Sequence, residues 1–473
     1  MLVSSILELI RETSTNLPTD VIEALIQARN LESKNLHGKL SLEVILKNIE
    51  LAQKQKTPIC QDTGSLTFFV KAVFAQWKNL EKAIQQATQQ ATKVGFLREN
   101  AVDPISGKNI GNISKIEFEA GSSFKTEISL LLKGGGSENV SGQVSLPMET
   151  DFGFAARDMD GVRKAVLQIV KDAGGKGCAP GIISVVIGGD RASAFELAKK
   201  NLLKKIGSKN SDVKLAKLEA QVLSEANKLK IGTMGLGGRT TLLDCKVDAL
   251  PRHPASYFVT VAYSCWATRR GAVTLDTTRK IVKSSFTAKS NNKSLKLPSV
   301  KNIKKIQLPI SEKEVRKLRA GDVVSVSGRI FTARDRVHDL VSRQKLPKNL
   351  ADLGIFHCGP IMIKKGKSWQ ALAAGPTTSA RLDSFTPQFL EKTGARVLIG
   401  KGGMGEATAQ ALKKFGGVYL HAIGGAAAFY AGSVKKVHSV DFLEEFGMPE
   451  ALWGIEVEDF LGIVGIDARG GKL

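Results

Sequence analysis

The apolar residues in the N-terminal half of the chain change their spacing along the sequence. At positions 21, 22, 25, 26 and 28 they recur as on one face of a helix, and Asp20 just before them is a favourable N-cap. Residues 182–187 are instead an almost unbroken β-branched run, which predicts a buried strand. A Gly-Gly-Asp turn then leads into a predicted helix over 192–206, and 257–264 is a further predicted strand.

The C-terminal residues show a similar alternation. Residues 323–326 and 396–399 are strand-like runs, and the second run is followed by a helical pattern over 406–415. Strands that alternate with helices in both parts of the chain predict the α/β fold class, with a helical N-terminus.

One segment, 277–311, follows neither pattern. It contains nine Lys or Arg residues, no acid and few large apolar residues. This composition is typical of a solvated linker. We therefore predict two α/β domains, at 1–285 and 306–473, joined by a lysine-rich linker at 286–305.

Composition narrows the class of protein. With 473 residues, of which 42% are hydrophobic, the chain is long enough for two or three domains with their own cores. It lacks a run of about 18 apolar residues, so we predict no membrane span. The amphipathic N-terminus carries Glu8 and no early Lys or Arg, which favours a first helix over a targeting peptide and hence a cytoplasmic protein.

The formal net charge of +23 is typical of many nucleic-acid-binding proteins. Here, however, the lysines are spread along the chain and aromatic residues make up only 6% of it, so no basic stripe with stacking aromatics is predicted. We expect no nucleic-acid partner. The positive charge instead favours the attraction of small anionic substrates.

Three of the five cysteines occur in loop-like sequence. Cys60, Cys178 and Cys265 are bordered by Gly, Pro or charged residues, whereas Cys245 lies in a predicted strand and Cys358 either ends a strand or lies near a pocket. Scattered cysteines without a Cys-x-x-Cys pair are commonly core residues, and that interpretation stays open. The alternative is metal binding, because three thiolates are one short of the four that usually hold an iron–sulfur cluster and would leave one iron open as a Lewis acid.

A glycine-rich loop at 400–405 matches the pattern G-x-G-x-x-G between a predicted strand and a predicted helix, which is the context that dinucleotide binding requires. The next strand, 418–421, ends without the acid that would hold a ribose, and Lys401 in the loop suits a small carboxylate or phosphate. We therefore favour a small-anion site. A dinucleotide site and a plain glycine-rich turn remain the alternatives.

Four motifs occur in order along the chain. They are PICQDTG at 58–64, KGGGSEN at 133–139, GLGGRTT at 235–241 and AGPTTSAR at 374–381. With the three loop cysteines, the chain resembles the class I fumarate hydratase / L-tartrate dehydratase family of oxygen-sensitive iron–sulfur hydro-lyases. The resemblance covers nearly the whole chain apart from the linker. It implies that an α-like and a β-like part, which are separate subunits in many members, are fused here.

The resemblance implies a cofactor and an active site between the two domains. The cofactor is a [4Fe–4S] cluster held by Cys60, Cys178 and Cys265, whose fourth iron binds the substrate hydroxyl and a neighbouring carboxylate oxygen. The base is Thr377, with Asp62 assisting. The substrate contacts that the resemblance implies are Gln61, Asp62, Arg98, Gly142, His253, Arg334, Arg381 and Lys401.

These residue types suit the removal of water from a 2-hydroxy dicarboxylate. Iron accepts charge from the departing hydroxide, and arginine grips a carboxylate bidentately. Threonine is a weak base, so Thr377 needs a carboxylate such as Asp62 to take its proton, or nearby cations to stabilise its alkoxide. Among the substrate contacts, Arg98, Gly142 and His253 are placed by their distance from the cysteines and not by a motif.

The resemblance favours the reversible hydration of fumarate to malate by a homodimer with a small dicarboxylate as its partner. L-tartrate dehydratase, which gives oxaloacetate, shares the chemistry and remains an alternative. A non-catalytic iron–sulfur redox or iron sensor is an alternative of a different class. Two departures from the family pattern are Gly-Cys-Ala-Pro-Gly at 177–181, where Cys-Pro-Pro-Gly is common, and His-Cys-Gly-Pro at 357–360, where Tyr-Val-Gly-Pro is usual.

Overall fold

Three helices open the chain, as the spacing of its apolar residues predicts. They are α1 (Leu2–Thr15), α2 (Thr19–Leu31) and α3 (Leu36–Gln55). The predicted cap, Asp20, lies instead inside the first turn of α2, where its carboxylate pairs with Arg270 and accepts a hydrogen bond from Ile206 N at 2.6 Å. The computed structural model describes residues 1–32, 35–121, 125–286, 302–344, 346 and 348–473.

Within these described ranges, two main sheets and a short hairpin form the N-terminal part. The strands are β1 (Ser65–Ala72), β2 (Ala101–Val102), β3 (Asn109–Gly111), β4 (Ser114–Ala120), β5 (Thr126–Lys133), β6 (Gly142–Ser145), β7 (Gly181–Gly188), β8 (Leu242–Leu250), β9 (Phe258–Ser264), β10 (Arg269–Leu275) and β11 (Ile281–Ser284). One sheet has the order β11-β10-β5-β1-β4 and the other β6-β9-β7-β8, while β2 and β3 form the hairpin. The strands predicted at 182–187 and 257–264 are therefore confirmed as β7 and β9.

Helices cover both sheets of the N-terminal part. They are α4 (Trp77–Lys93), α5 (Gly135–Asn139), α6 (Met159–Ala173), α7 (Arg191–Asn201) and α8 (Val213–Lys228). The apolar faces of α1 and α4 form a core with the first sheet, and those of α6 and α8 form one with the second. The helix predicted over 192–206 ends early, at Asn201. The N–H groups of Ile206 and Gly207 donate to the side chains of Asp20 and Asp244 and not to helix carbonyls.

The C-terminal part alternates strands and helices, as predicted. Its strands are β12 (Lys304–Gln307), β13 (Val323–Thr332), β14 (Gly354–Phe356), β15 (Ile361–Lys365), β16 (Ser368–Ala373), β17 (Val397–Gly400), β18 (Val418–His421), β19 (Val434–Asp441) and β20 (Leu452–Ile466). Its helices are α9 (Glu312–Val315), α10 (Asp335–Arg343), α11 (Thr386–Thr393), α12 (Glu406–Phe415), α13 (Ala427–Ser433) and α14 (Leu443–Phe446).

The main C-terminal sheet closes on itself. Its order is β12-β13-β14-β17-β18-β20-β19, and β20 also pairs with β13, so Ile463 of β20 has a partner on each side. The four strands from β13 to β18 are parallel, and β20 is antiparallel to both of its neighbours in the ring. Parallel strands place their carboxyl ends at one edge, so the loops that follow β13, β14 and β17 lie near one another.

The two parts of the chain share a continuous apolar core. Residues of α3 such as Ile45 and Ala52 belong to the same buried cluster as Ala428 and Tyr430 of α13. The fully buried Asn48 amide joins the parts as well, because it accepts from Phe429 N at 2.9 Å and donates to the carbonyl of Ile59 at 3.0 Å. The loop that follows α3 is therefore held directly against the C-terminal part.

The predicted linker at 286–305 lies mostly outside the described residues, because 287–301 are not described. At its described end β12 already begins at Lys304, and β11 (Ile281–Ser284) lies inside the wider basic segment. In the described part of the chain, none of the helices combines the length and the apolar character needed to cross a membrane.

Candidate active site

Neighbouring strands bring two of the loop cysteines together. β7 and β9 are antiparallel, and Ile182 near the start of β7 lies opposite Ser264 at the end of β9. Cys178 comes shortly before β7 and Cys265 directly after β9, so both lie at the same edge of that sheet. The backbone confirms this proximity, because Trp266 N donates to the carbonyl of Cys178 at 3.3 Å.

The first sheet adds the third cysteine. Leu132 of β5 lies opposite Leu66 of β1 on one side and opposite Arg269 of β10 on the other. The loop before β1 carries Cys60 and the loop before β10 carries Cys265, so the two loops lie at one sheet edge. Three cysteines that are far apart in sequence therefore meet because of strand order.

A cavity of about 560 Å³ lies where these loops meet the C-terminal part. Ten of the twelve residues predicted for the site line it. They are Cys60, Gln61, Asp62, Arg98, Cys178, Cys265, Arg334, Thr377, Arg381 and Lys401.

The other two predicted residues, Gly142 and His253, lie away from this cavity. Gly142 begins β6, and a Cβ at that position would meet the Ile169 side chain of α6 at 3.2 Å. His253 is exposed in the loop after β8, where its Nδ1 accepts a hydrogen bond from Ala255 N at 3.1 Å. The structure therefore does not bring these two residues together with the other ten, and their role as substrate contacts stays a prediction.

The glycine-rich segment after β5 lines the cavity without having been assigned a role. Gly135 N donates to Asp62 Oδ2 at 2.9 Å. A Cβ at Gly134 would lie 3.2 Å from Asp62 Oδ2, and one at Gly136 would lie 3.3 Å from Lys401 Nζ. Glycine lets both side chains approach the backbone this closely, and the KGGGSEN motif was the signal that could have identified the segment.

Asp62 is the ionised carboxylate of the cavity. Burial opposes ionisation, but the positive charges of Arg98, Arg269 and Lys401 and the Gly135 N–H lower the pKa of Asp62 below its usual value. Its Oδ1 also accepts from Gly64 N at 3.2 Å and lies 3.8 Å from Arg98 Nη2.

Each arginine that lines the C-terminal side of the cavity has a carboxylate partner. Arg381 donates to both oxygens of Asp335, at 3.1 and 2.8 Å, and Arg334 Nη2 lies 3.1 Å from Glu450 Oε1. Burial raises the pKa of Asp335, but Arg381 more than offsets that effect and lowers it. These ion pairs fix the orientation of both guanidinium groups. A guanidinium held in a fixed orientation is suited to binding the carboxylate of a ligand.

Lys401 contacts a cysteine sulfur. Its Nζ lies 2.7 Å from Cys178 Sγ. Burial works against the charged amine, but the neighbouring cysteine sulfurs, Cys178 first among them, raise the pKa of Lys401 above its usual value. The ammonium group therefore stays charged inside the cavity.

The glycine-rich loop around Lys401 is not shaped for a dinucleotide. Gly405 N and Thr408 N at the start of α12 already donate to Asp383 Oδ1, at 2.7 and 3.3 Å. Since a carboxylate of the chain occupies this helix N-terminus, it is not free for a pyrophosphate. The loop instead carries Lys401 to the cavity, in line with the small-anion interpretation.

Thr377 is held at the cavity by its backbone. Its N–H donates to the carbonyl of His357 at 2.7 Å, and its carbonyl accepts from Lys401 N at 3.2 Å. The hydroxyl makes no hydrogen bond to any residue that the structure describes. It is therefore available to a ligand.

The donor set of the cavity, three cysteine thiols, is of the kind that holds an iron–sulfur cluster. All five cysteines are free, and among the described residues no three His, Cys, Asp or Glu side chains converge on one metal position. A cluster differs from a single ion because it offers a separate iron to each thiolate. Burial raises the pKa of Cys60 and raises that of Cys265 to about 12, so both thiols hold their protons in the protein without a metal.

Glycine leaves room at one of these sulfurs. A Cβ at Gly424 would lie 2.5 Å from Cys178 Sγ, so only glycine allows the sulfur its present position. The three loop cysteines line the same cavity as Thr377 and the cationic side chains.

Two neutral histidines are buried behind the Thr377 loop. The rings of His338 and His357 lie 5.2 Å apart, and their Nδ1 atoms contact Arg334 O at 2.9 Å and Ser379 Oγ at 2.8 Å. Burial lowers the pKa of His338 to about 4 and that of His357 well below its usual value.

We expect this pair to make the fold acid-sensitive. In the unfolded chain each of the two histidines has a pKa of about 6.5. Below that pH the unfolded state binds more protons than the folded state and is favoured. The contribution of the two buried histidines to the free energy of unfolding should be fully present above about pH 6.5. It should decline as the pH falls toward about 4, by up to about 1.4 kcal/mol per pH unit for each histidine. Thermal unfolding of reconstituted protein at several pH values measures this decline.

Variants isolate the contribution of the pair. His338→Gln should flatten the dependence of the unfolding midpoint on pH, whereas the same change at the exposed His253 should leave it as in the wild type. The charge of Asp335 also affects the pKa of both histidines and that of Arg381 affects the pKa of His357, so neither residue is changed in these variants. An unaltered acid slope in His338→Gln would contradict the assignment.

Comparison with known proteins assigns the chain to the hydro-lyases, the carbon–oxygen lyases that add or remove water. The family described as "Fumarate hydratase (Fumerase)" matches residues 3–274, and the one described as "Fumarase C-terminus" matches residues 273–473. The chain belongs to the class I fumarate hydratase family.

Individual relatives agree with this assignment. The chain is 43% identical to a putative fumarate hydratase class I of Geobacillus stearothermophilus, over 100% of this chain and 95% of that protein. It is 36% identical to a putative L(+)-tartrate dehydratase subunit alpha of Methanocaldococcus jannaschii, over 56% of this chain and 94% of the subunit. The subunit beta from the same organism is 44% identical over 35% of this chain and 87% of the subunit. Two parts that are separate in that organism are therefore fused here.

Proposed function

We propose that the protein catalyses the reversible hydration of fumarate to malate with a [4Fe–4S] cluster bound by Cys60, Cys178 and Cys265. The observation that carries this proposal is the charge of the cavity, where the described residues supply six cationic side chains against three carboxylates. The cations are Arg98, Lys133, Arg269, Arg334, Arg381 and Lys401, and the carboxylates are Asp62, Glu138 and Asp335. This excess suits a dicarboxylate dianion. A homodimer and a cytoplasmic location stay predictions.

The chain's own residues divide the work on the substrate. A bound cluster supplies one Lewis-acidic iron for the substrate hydroxyl. Arg334 and Arg381 are oriented by their carboxylate partners and can each bind a substrate carboxylate from the C-terminal side. Arg98 belongs to the N-terminal part, and its Nη1 donates to Gly359 O of the C-terminal part at 2.7 Å, which fixes its position between the two parts. Negative charge develops on the carboxylate beside the carbon that loses its proton. Arginine side chains whose positions are fixed before the reaction stabilise that charge.

The proton transfer falls to Thr377, with Asp62 assisting. The Thr377 hydroxyl has no partner among the described residues, and Asp62 is ionised on the facing loop. A threonine hydroxyl is too weakly acidic to act alone, so the proton that it takes must be passed on or its alkoxide stabilised. The cations of the cavity serve the second purpose.

L-tartrate dehydratase is the second candidate. It is supported by the relative named as a subunit beta, whose identity of 44% matches that of the full-length relative named for fumarate. The two substrates differ by one hydroxyl group, and one residue of the pocket is enough to discriminate between them.

A substrate panel tests the proposal. The protein is reconstituted anaerobically with iron and sulfide and assayed with fumarate, malate, both tartrates and mesaconate. We expect kcat/KM for fumarate and malate to exceed that for either tartrate by about tenfold or more. Faster turnover of L-tartrate would move the assignment to the second candidate, and a full cluster without turnover of any of these acids would favour a sensor. Chelator-treated protein is the control.

A further inference from the structure

Arg269 joins two of the three cysteine loops. It is the first residue of β10, four positions after Cys265, and only 1% of it is exposed. Its Nε donates to Ala267 O at 3.3 Å within its own loop, and its Nη2 donates to Asp62 O at 2.9 Å in the loop that carries Cys60. One guanidinium therefore fixes the spacing between the two loops.

The remaining nitrogen of this guanidinium has no partner. Arg269 Nη1 is buried and makes no hydrogen bond to any described residue, although the side chain lines the cavity of the cysteines. Buried donors are almost always paired in native proteins, so an unused one at a cofactor cavity points to a group that the cofactor supplies.

Arg269 brings its positive charge to the cavity that the three loop cysteines line. Unlike Arg334 and Arg381, it has no carboxylate side chain as a hydrogen-bonding or ion-pair partner in the described part of the chain. No ion pair within the described residues therefore holds its guanidinium, and the unpartnered Nη1 is available to negative sulfur.

We propose that Arg269 is a positioning residue of the cluster site, whose Nη1 donates a hydrogen bond to a sulfur of the bound cluster and whose charge stabilises the more negative, reduced cluster. This inference rests on the proposed function, because it requires that the cluster be bound. Net charge and hydrogen bonds to sulfur are main determinants of the potential of iron–sulfur clusters.

The next residue on the strand provides a matched control. Side chains alternate along β10, so Arg270 points to the opposite face. It is also buried, with 9% of its side chain exposed, and it also has an Nη1 without a partner among the described residues. It pairs with Asp20 and lines a different cavity, of about 880 Å³, to which none of the three loop cysteines contributes.

The experiment compares the wild type with Arg269→Gln, Arg269→Lys and Arg270→Gln. Each is reconstituted anaerobically with iron and sulfide, its iron content and thermal midpoint are measured, and its one-electron reduction by dithionite is followed by EPR in a mediated titration. We expect Arg269→Gln to make reduction at least tenfold less favourable, which is 59 mV for a one-electron couple. Arg269→Lys should shift in the same direction by less, because the charge stays and the planar fork is lost.

Arg270→Gln should lower the thermal midpoint, since it leaves Asp20 unpaired, but should keep the wild-type potential. Loss of the cluster from folded Arg269→Gln, with the cluster kept in Arg270→Gln, would also support the proposal. If Arg269→Gln does not fold, Arg269→Lys decides. A wild-type potential in whichever Arg269 variant is measured, or an equal shift in Arg270→Gln, would overturn the inference. A wild-type chain that binds no cluster would instead refute the proposed function.

Discussion

Replacing Cys60, Cys178 or Cys265 by Ser is expected to leave a folded protein without a [4Fe–4S] cluster and without hydratase activity. The three sulfurs line one cavity and come from loops at adjoining sheet edges, and neither of the other two cysteines lines that cavity. Iron should fall from about four atoms per chain, the content of one cubane, to a small fraction of that value. Iron and sulfide analysis after anaerobic reconstitution measures the loss.

The two remaining cysteines are the controls. Cys245 is buried in β8 within the core under α8, and Cys358 is buried in the loop after β14, and neither lines the cavity. Cys245→Ser and Cys358→Ser should therefore keep the full iron content, even if the new hydroxyl lowers the thermal midpoint. Full iron in Cys178→Ser, or its loss from Cys245→Ser, would refute the choice of ligands.

Much of the fold could be predicted from local patterns, because strands such as β7 and helices such as α12 are encoded by adjacent residues. The closure of the C-terminal sheet could not, since it depends on β20 pairing with β13, more than a hundred residues away in sequence. The role of Asp20 was missed for a similar reason. Its sequence context is that of a helix cap, but Arg270 and Ile206 N approach it only in the folded chain.

The candidate site shows the same division. Residues inside motifs, such as Gln61 and Thr377, line the cavity, and so does Arg98, which was placed by its distance from the cysteines; Gly142 and His253, placed in the same way, do not line it. Arg269 was missed because a buried arginine at the start of a strand has no local signature. Its importance depends on two backbone oxygens and on a nitrogen left without a partner.

Thr377→Ala is expected to lower kcat by about 10²–10⁴-fold with little change in KM. The change removes a hydroxyl but no charge, and the backbone contacts of residue 377 with His357 and Lys401 are kept. Arg381→Ala is the contrasting variant, because it removes a carboxylate partner and should raise KM as well as slow the reaction. Steady-state kinetics on the reconstituted enzyme separates these two patterns.

Exchange of the substrate C–H proton with deuterated water identifies the base directly. If Thr377 takes the proton, Thr377→Ala should lose the exchange measured by NMR while malate still binds. Asp62→Asn should slow the exchange only to the extent that the Asp62 carboxylate helps to form the Thr377 alkoxide. The positive charges of Arg98, Arg269 and Lys401 and the Gly135 N–H outweigh the effect of burial and lower the pKa of Asp62. A carboxylate with a lowered pKa is a weak base. That favours Thr377 as the group that touches the proton. Normal exchange in Thr377→Ala together with its loss in Asp62→Asn would reverse the assignment and leave Thr377 as a spacer.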